Sequence, residues 1–143
     1  MTSHRPQAEL VDISTDDCWE LVRARSIGRF AANRFGGCPL VVPVNYLVDG
    51  DEIVFRTGAG AKLSATGRGH VCLQLDEIDP MHHVGWSVVV DGTACWLYEE
   101  QDDAKVETWA PGDRPYVIRL TPTKVTGRRI HLTQFDTDSR GYR

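Results

Sequence analysis

The sequence predicts a mainly β protein, a six- or seven-stranded antiparallel barrel with two or three short peripheral helices. Six or seven segments are rich in β-branched and aromatic residues, which favour strands. Most of these segments are joined by short turns, and short turns pair neighbouring strands antiparallel. Pro43 and Gly92 interrupt the two longest segments, and bends at such points allow a small sheet to close on itself.

The composition indicates one globular domain. The 143 residues suffice for a hydrophobic core, and we expect a single domain over residues 1–143 with loose tails at residues 1–10 and 136–143. Hydrophobic residues make up 41% of the chain, which is too apolar for a disordered protein. The net charge of −4 argues against a general nucleic-acid-binding surface. With no signal-peptide pattern and no apolar run of the roughly 20 residues that span a bilayer, the sequence predicts a cytoplasmic protein without a membrane partner.

A short amphipathic helix is predicted first, ending at about Ala24. Ser14 or Thr15 can cap its N-terminus, and the two aspartates that follow complement the positive end of the helix dipole. Strands are then predicted over residues 27–32, 38–48 and 52–57. The last two are joined by Asp49-Gly50, a strong hairpin signal. Pro43 cannot donate a hydrogen bond to a neighbouring strand, so the middle strand must be an edge there, or else bulged or bent.

The second half of the chain contains the longer strands. Val71, Leu73 and Leu75 alternate with more polar residues, which predicts a strand with one buried face. Helices are predicted over residues 62–66 and 99–109, and strands over residues 70–76, 85–98, 116–122 and 124–130. Gly92 is expected to kink the strand that contains it. The last two strands are either separate or one continuous strand.

The turn after the third predicted strand is the first candidate site. Its small residues, Gly58-Ala59-Gly60-Ala61, lie between Arg56 and Lys62. Glycines let backbone N–H groups approach a ligand closely, and the start of a helix offers unpaired N–H donors. The turn is either a phosphate cradle or an ordinary strand-to-helix connection with two solvated cations. It matches neither the P-loop nor the dinucleotide-binding fingerprint.

Three polar or aromatic residues in apolar strands are further candidates. Trp86 begins an otherwise aliphatic strand and Ser87 follows it, a pair suited to stacking on an aromatic ligand and donating one hydrogen bond. The alternative for Trp86 is an anchor in the core. Asn45 is either hydrogen-bonded within the protein or offered to a ligand.

Metal and hydrolytic sites find little support in the sequence. His82 and His83 are adjacent, and adjacent side chains on a strand point to opposite faces, so they rarely reach one ion. A haem ligand among His70, His82, His83 and His131 stays an open alternative that no spacing supports. The four cysteines have neither metal-ligand nor redox spacing: Cys18, Cys38, Cys72 and Cys95. There is no nucleophile elbow of the hydrolase type.

Four motifs follow one another along the chain. They are residues 39–46 (Pro-Leu-Val-Val-Pro-Val-Asn-Tyr), residues 53–57 (Ile-Val-Phe-Arg-Thr), the small turn ending in Lys62, and residues 85–92 (Gly-Trp-Ser-Val-Val-Val-Asp-Gly). Their order and spacing resemble the flavin-binding split barrels related to pyridoxamine 5′-phosphate oxidase, and more narrowly the short actinobacterial-type branch of that family. The likeness extends from about Ile13 to Ile130. It implies a six-stranded antiparallel split β-barrel that forms a homodimer, with flavin mononucleotide (FMN) at the subunit interface.

The resemblance also implies which residues bind the cofactor. In the family, the strand matching residues 42–46 lies along the isoalloxazine ring, and the pair matching Arg56 and Thr57 lies near the ribityl phosphate. The Ser-Arg-Lys turn that grips the phosphate corresponds to residues 60–62, and a glutamine of the family corresponds to Ser87. The cofactor-binding residues implied in this way are Pro43, Val44, Asn45, Tyr46, Arg56, Thr57, Ala61, Lys62, Trp86 and Ser87.

The chain departs from the oxidase pattern at two places. The phosphate turn is one residue shorter and has Ala61 where the family has arginine, and residues 134–143 do not match the C-terminal segment that helps to bind the vitamin substrate. The resemblance therefore implies an FMN-binding oxidoreductase with a small-molecule substrate of unknown identity, in which the flavin carries the hydride chemistry. The alternatives are a deazaflavin-dependent reductase and a non-catalytic flavin- or haem-binding protein. No catalytic side chain is assigned.

Overall fold

The computed structural model describes residues 7–34, 36–64, 66 and 69–132. The strands are β1 (Ala8–Ile13), β2 (Ile27–Ala32), β3 (Leu40–Asp49), β4 (Glu52–Thr57), β5 (Val71–Asp79), β6 (Val84–Tyr98) and β7 (Tyr116–Leu132). The helices are α1 (Thr15–Ala24) and the single turn α2 (Ala61–Ser64), and a 3-10 turn covers Glu99–Gln101. Within these ranges no helix has the length and apolar character needed to cross a membrane. The predicted tail at residues 136–143 lies outside the described residues.

Six strands close into an antiparallel barrel, as the sequence predicts. The order is β7-β4-β3-β2-β5-β6, and β6 pairs with β7 to complete the ring. β7 is one continuous strand of 17 residues, so the two predicted C-terminal strands are one. Its first part lies between β4 and β6, and its last part lies between β6 and β1. The long β7 therefore joins the barrel to the additional strand β1.

The core lies inside the barrel and beneath α1. Phe30 on β2 and Phe55 on β4 are fully buried, with ring centroids 4.9 Å apart. α1 is capped by Ser14, whose hydroxyl oxygen accepts a hydrogen bond from the backbone of residue 17 at 3.2 Å. Val22 on α1 is fully buried in the same core, and its carbonyl accepts a hydrogen bond from the Tyr46 hydroxyl at 2.6 Å. This bond ties α1 to β3.

The two residues predicted to interrupt long strands do so in different ways: Gly92 lies at a register shift and Pro43 lies at an edge. The pairing of β6 with β7 shifts register between Asp91 and Gly92. A Cβ added at Gly92 would lie 2.1 Å from the carbonyl oxygen of Thr121, so only glycine permits this close approach of the two strands. Pro43 pairs with β2 on one side, while pairing with β4 begins only at Tyr46. Pro43 therefore lies at an edge, where its missing N–H leaves no ladder bond unmade.

The prediction of a loose segment over residues 1–10 is wrong for Ala8–Leu10, which belong to β1. β1 pairs with the last part of β7, from Ala8 opposite Leu132 to Ile13 opposite Gly127. Its residues are almost all exposed, so no alternation of buried and exposed side chains marks it in the sequence. The strand forms because β7 extends beyond β4 and leaves an edge that another strand can pair with.

The predicted surface helix over residues 99–109 is also wrong. Only the 3-10 turn forms, and residues 102–115 follow as an irregular segment, named here the cover segment. The Asp102 carboxylate accepts a hydrogen bond from the Ala104 backbone at 3.0 Å, a local turn that competes with helix formation. The same carboxylate accepts two bonds from Arg119 at 2.6 and 2.8 Å. Ala104 and Val106 pack against Val54 and Val117 in a second hydrophobic cluster, so burial against β4 and β7 replaces the helix.

Candidate functional site

Some of the predicted binding residues from β3, β4 and α2 line one small cavity together. It lies beside the part of β3 that extends beyond its pairing with β4, and it has a volume of about 50 Å³. Its lining residues are Pro43, Val44, Asn45, Arg56, Lys62, Thr108, Ala110 and Arg114. Five of these eight were predicted from the sequence, and the other three come from the cover segment.

Lys62 reaches the cavity from α2. The single turn of helix is closed by a hydrogen bond from the Ser64 backbone to the Gly60 carbonyl at 3.0 Å. Burial lowers the pKa of Lys62, and the nearby positive charge of Arg114 lowers it further. Among the described residues, no carboxylate lies within ion-pair distance of Lys62. Within the described ranges, this half-buried ammonium group therefore has no counter-ion.

Arg56 lines the same cavity but is already bonded within the protein. Its guanidinium forms an ion pair with Glu99 at the start of the 3-10 turn. Its Nε donates a hydrogen bond to the backbone carbonyl of Arg114 at 3.0 Å. The role of Arg56 as a cofactor ligand stays a prediction, and in the structure its guanidinium joins β4 to Glu99 and to the cover segment.

Asn45 connects the outer face of β3 to the cover segment. Its side-chain oxygen accepts a hydrogen bond from the backbone N–H of Trp109 at 2.9 Å. Within the described part of the chain, its amide nitrogen has no hydrogen-bond partner. The sequence left two alternatives for Asn45. The structure shows the internal hydrogen bond of the amide oxygen, and a contact between the amide nitrogen and a ligand stays a prediction.

Several contacts hold the cover segment over the cavity. At its start, Asp102 is clamped by Arg119, and the Asp102 side chain is only 2% exposed. Near its end, the carbonyl of Pro115 accepts a hydrogen bond from the Glu99 backbone at 2.8 Å. A Cβ added at Gly58 would lie 3.2 Å from the carbonyl oxygen of Asp113, so the glycine turn lets the segment approach closely. The segment is irregular in backbone but anchored along its length.

The cavity suits a small anion. Its volume leaves room for a few water-sized groups and is far below the roughly 300 Å³ at which pockets for whole drug-sized ligands begin. Three cationic side chains line it, and the carboxylate that neutralises Arg56 belongs to Glu99, outside the lining. Guanidinium groups form bidentate hydrogen bonds with phosphate and carboxylate groups, and a lysine ammonium binds phosphate as a point charge.

Comparison with known protein families agrees with the barrel and its motifs. The model of the pyridoxamine 5′-phosphate oxidase family matches residues 14–129, which is most of the chain. The chain belongs to the pyridoxamine 5′-phosphate oxidase family. The match covers five of the six barrel strands completely and nearly all of β7.

Individual relatives also match most of the chain. An uncharacterised protein of Mycobacterium tuberculosis, Rv0080, is 30% identical over 132 residues, 85% of this chain and 86% of the relative. The solved structure of an FAD-binding protein from Mycobacterium smegmatis is 27% identical, with a TM-score of 0.64 over 86% of this chain and all of that one. A provisionally named pyridoxamine 5′-phosphate oxidase from Corynebacterium glutamicum is 27% identical, with a TM-score of 0.70 over 87% and 95% of the two chains.

The other five residues that the resemblance implies in cofactor binding do not line the Lys62 cavity. Tyr46 and Thr57 are buried, and their hydroxyl groups donate to backbone carbonyls within the protein. Trp86 is 8% exposed and belongs to the core, with the Arg25 guanidinium 5.3 Å from its ring. Ser87 lines a different surface cavity, with β1 and β7. Ala61 is in α2, directly before Lys62. A single chain therefore brings together only half of the implied set.

Sequence reasoning missed the contribution of the cover segment. Thr108, Ala110 and Arg114 line the cavity, yet their stretch of sequence matches none of the four motifs. The one local signal is that Arg114 precedes a proline after Pro-Gly-Asp, which predicts a turn but not where that turn lies in the fold.

The histidines considered as metal or haem ligands do not line this cavity, and His82 forms an ion pair with Asp79 at 2.6 Å in an exposed loop. Where side chains are described, no three metal-ligating groups cluster.

Proposed function

We propose that this protein is an FMN-binding oxidoreductase that acts on a small-molecule substrate. The observation that carries the proposal is the cavity in which Lys62 and Asn45, two residues that the family resemblance implies in cofactor binding, meet Arg114 of the cover segment. The FAD-binding protein of Mycobacterium smegmatis, which shares 27% of its sequence with this chain, supports a flavin as the ligand.

The chain offers different surfaces to the two ends of a flavin. The cavity admits a phosphate-sized group and no ring system. Val41 and Pro43 are exposed and share the outer face of β3 with Asn45, so an aromatic ring has an apolar strand to lie against. The free amide nitrogen of Asn45 would donate to a polar ring edge and stabilise negative charge there. When bound, the flavin supplies reversible hydride transfer.

FMN is preferred to the related cofactors because of its terminal phosphate. A phosphate monoester carries a charge of about −1.5 to −2 at neutral pH. Lys62 and Arg114, which have no carboxylate partner among the described residues, would balance this charge. A phosphodiester such as that of a deazaflavin coenzyme has one charge, and its chain continues beyond the phosphate. The small volume beneath the cover segment favours a group that ends there.

The active form proposed here is a homodimer with the cofactor between two copies of the chain. Trp86 and Ser87 line other cavities than Lys62 does, so we propose that they meet its ligand from a second copy of the chain. Large exposed apolar side chains near the proposed ring surface, Val41 at 61% and Ile27 at 44%, favour burial against a partner. Light scattering after size exclusion tests this: a monomer at micromolar concentration contradicts it.

The cofactor is tested by purifying the protein and recording its absorption spectrum and the mass of any released ligand. We expect the two near-ultraviolet and visible bands of a flavin and the mass of FMN. A Soret band would identify haem, and a deazaflavin mass would identify the related coenzyme. If the protein is colourless, titration with FMN decides, and the absence of binding at high micromolar flavin refutes the proposal.

The phosphate contact is tested with Lys62→Ala. The loss of one charge-assisted contact should weaken FMN about tenfold or more while changing riboflavin affinity little. Lys105→Ala is the matched control, because Lys105 is exposed and lines a neighbouring groove instead. Equal losses for FMN and riboflavin would show that Lys62 does not bind phosphate.

Oxidoreductase activity is tested once the bound flavin is identified. Anaerobic addition of nicotinamide cofactors and other small donors should bleach the visible flavin band, and an added acceptor should restore it over repeated turnovers. A flavin that no donor in the panel reduces would favour the non-catalytic binding protein over the enzyme.

A further inference from the structure

Two cations face the small cavity without an acidic side chain to neutralise them. Lys62 comes from α2 and Arg114 from the cover segment, and neither has a carboxylate within ion-pair distance in the parts of the chain that are described. Among the described residues, the Arg114 side chain donates one hydrogen bond, to the carbonyl of Pro111 at 3.2 Å, whereas a guanidinium has five N–H donors. Like charges held together at a half-buried site repel each other, and a bound anion offsets this repulsion.

The position of Arg114 depends on other parts of the fold. Arg56 donates to its backbone carbonyl, and the glycine turn lets the neighbouring Asp113 come close to Gly58. The positive charge of Arg114 lowers the pKa of Lys62, as expected if the two side chains face each other across the cavity. Arg56 is neutralised by Glu99 and so contributes support more than net charge.

We propose that Arg114 is the second phosphate-binding cation of this protein and takes the place of the arginine that the family turn carries at the position of Ala61. The inference rests on the proposed FMN-binding function and names the residue that makes it specific for phosphorylated flavin. A guanidinium forms two parallel hydrogen bonds to a phosphate, which an ammonium group cannot do. The cover segment thereby supplies the cation that the shortened glycine turn lacks.

The experiment compares Arg114→Gln, Arg114→Lys and the control Lys105→Gln with the natural protein. Lys105 lies in the same segment, and its replacement removes the same charge without touching this cavity. The affinities for FMN and riboflavin are measured by flavin fluorescence, and thermal unfolding checks that each variant folds. We expect Arg114→Gln to weaken FMN about tenfold or more, to change riboflavin less than twofold, and Arg114→Lys to recover part of the loss.

The outcomes separate this inference from the proposed function. If the natural protein binds FMN and Arg114→Gln binds it equally well, the inference is refuted and the proposed function stands. If Arg114→Gln weakens FMN and riboflavin equally, Arg114 acts on folding or on the ring and the inference is again refuted. A selective loss for FMN that Lys105→Gln does not reproduce supports it.

A protein that binds no flavin still tests Arg114. In that case inorganic phosphate is the probe, and the shift in unfolding temperature on its addition is the measurement. Stabilisation of the natural protein that is lost in Arg114→Gln and kept in Lys105→Gln supports an anion site at Arg114. The absence of stabilisation in the natural protein refutes it.

Discussion

Replacement of Arg119 by glutamine should destabilise the protein through the cover segment. Arg119 on β7 donates hydrogen bonds to Asp102 at 2.6 and 2.8 Å, to Asp49 at 2.9 Å and to Glu52 at 3.2 Å. These partners belong to the β3–β4 hairpin and to the start of the cover segment. The carboxylates in turn raise the pKa of Arg119 above its ordinary value, and Arg119 is the main cause of the lowered pKa of Asp102.

The expected loss follows from the burial of the ion pair. Removal of one partner from a buried pair costs about 3–5 kcal/mol, because the remaining charge is left without compensation. Asp102 meets this condition, since its side chain is 2% exposed. Arg119 is 17% exposed and Asp49 is 52% exposed, so water replaces part of what is lost. We therefore expect the free energy of unfolding to fall by about 2–3 kcal/mol at neutral pH.

Urea denaturation at several pH values measures this loss. The folded-state pKa of Asp102 lies below its ordinary value of 3.8, so the unfolded state binds protons more readily. The stabilisation from the pair is fully present above that ordinary value and disappears as pH falls through the lowered pKa. The difference in unfolding free energy between natural protein and Arg119→Gln should therefore shrink under acid conditions. Hydrogen exchange should also accelerate in residues 102–115 before it does in β2.

Lys124→Gln is the control, since it removes a cation from an exposed position on the same strand. It should change the unfolding free energy by less than about 0.5 kcal/mol. If Arg119→Gln is no more destabilising than this control at neutral pH, the clamp does not stabilise the cover segment and the reasoning is refuted.

Two further changes test the barrel itself, both by urea denaturation. Tyr46→Phe removes the buried hydrogen bond to the Val22 carbonyl and should cost about 1 kcal/mol, a value indistinguishable from zero being the contrary result. Gly92→Ala places a Cβ 2.1 Å from the backbone oxygen of Thr121 and should cost about 2 kcal/mol or more. Gly37→Ala, whose Cβ would have no neighbour closer than 3.9 Å, is its control, and equal losses would refute the steric explanation.

The candidate site divides into a part that the sequence predicts and a part that it does not. Pro43 and Asn45 belong to the predicted strand β3, and Lys62 follows the glycine turn after β4. Because β3 and β4 form a hairpin, these residues come close together. Arg114 belongs to a stretch without periodicity, and its contact with Arg56 spans 58 residues of chain. The hydrogen bond from Trp109 to Asn45 spans 64 residues. No local pattern encodes contacts at such separations.

The sequence alone determined the six strands of the barrel, the turns between them and the start of α1 at Ser14 or Thr15. These features depend on interactions within a few residues: the period of two along a strand, the conformational freedom of glycine in turns, and the reach of Ser14 to the third residue beyond it. The tertiary structure decided the rest. β1 exists because β7 leaves an edge to pair with, and residues 102–115 avoid the expected helix because Arg119 and the second hydrophobic cluster stabilise another path. Arg119 and this cluster contact residues 102–115 only when the barrel closes. These contacts outweigh the weak helix propensity of the segment, and the path that they stabilise brings Arg114 to the cavity.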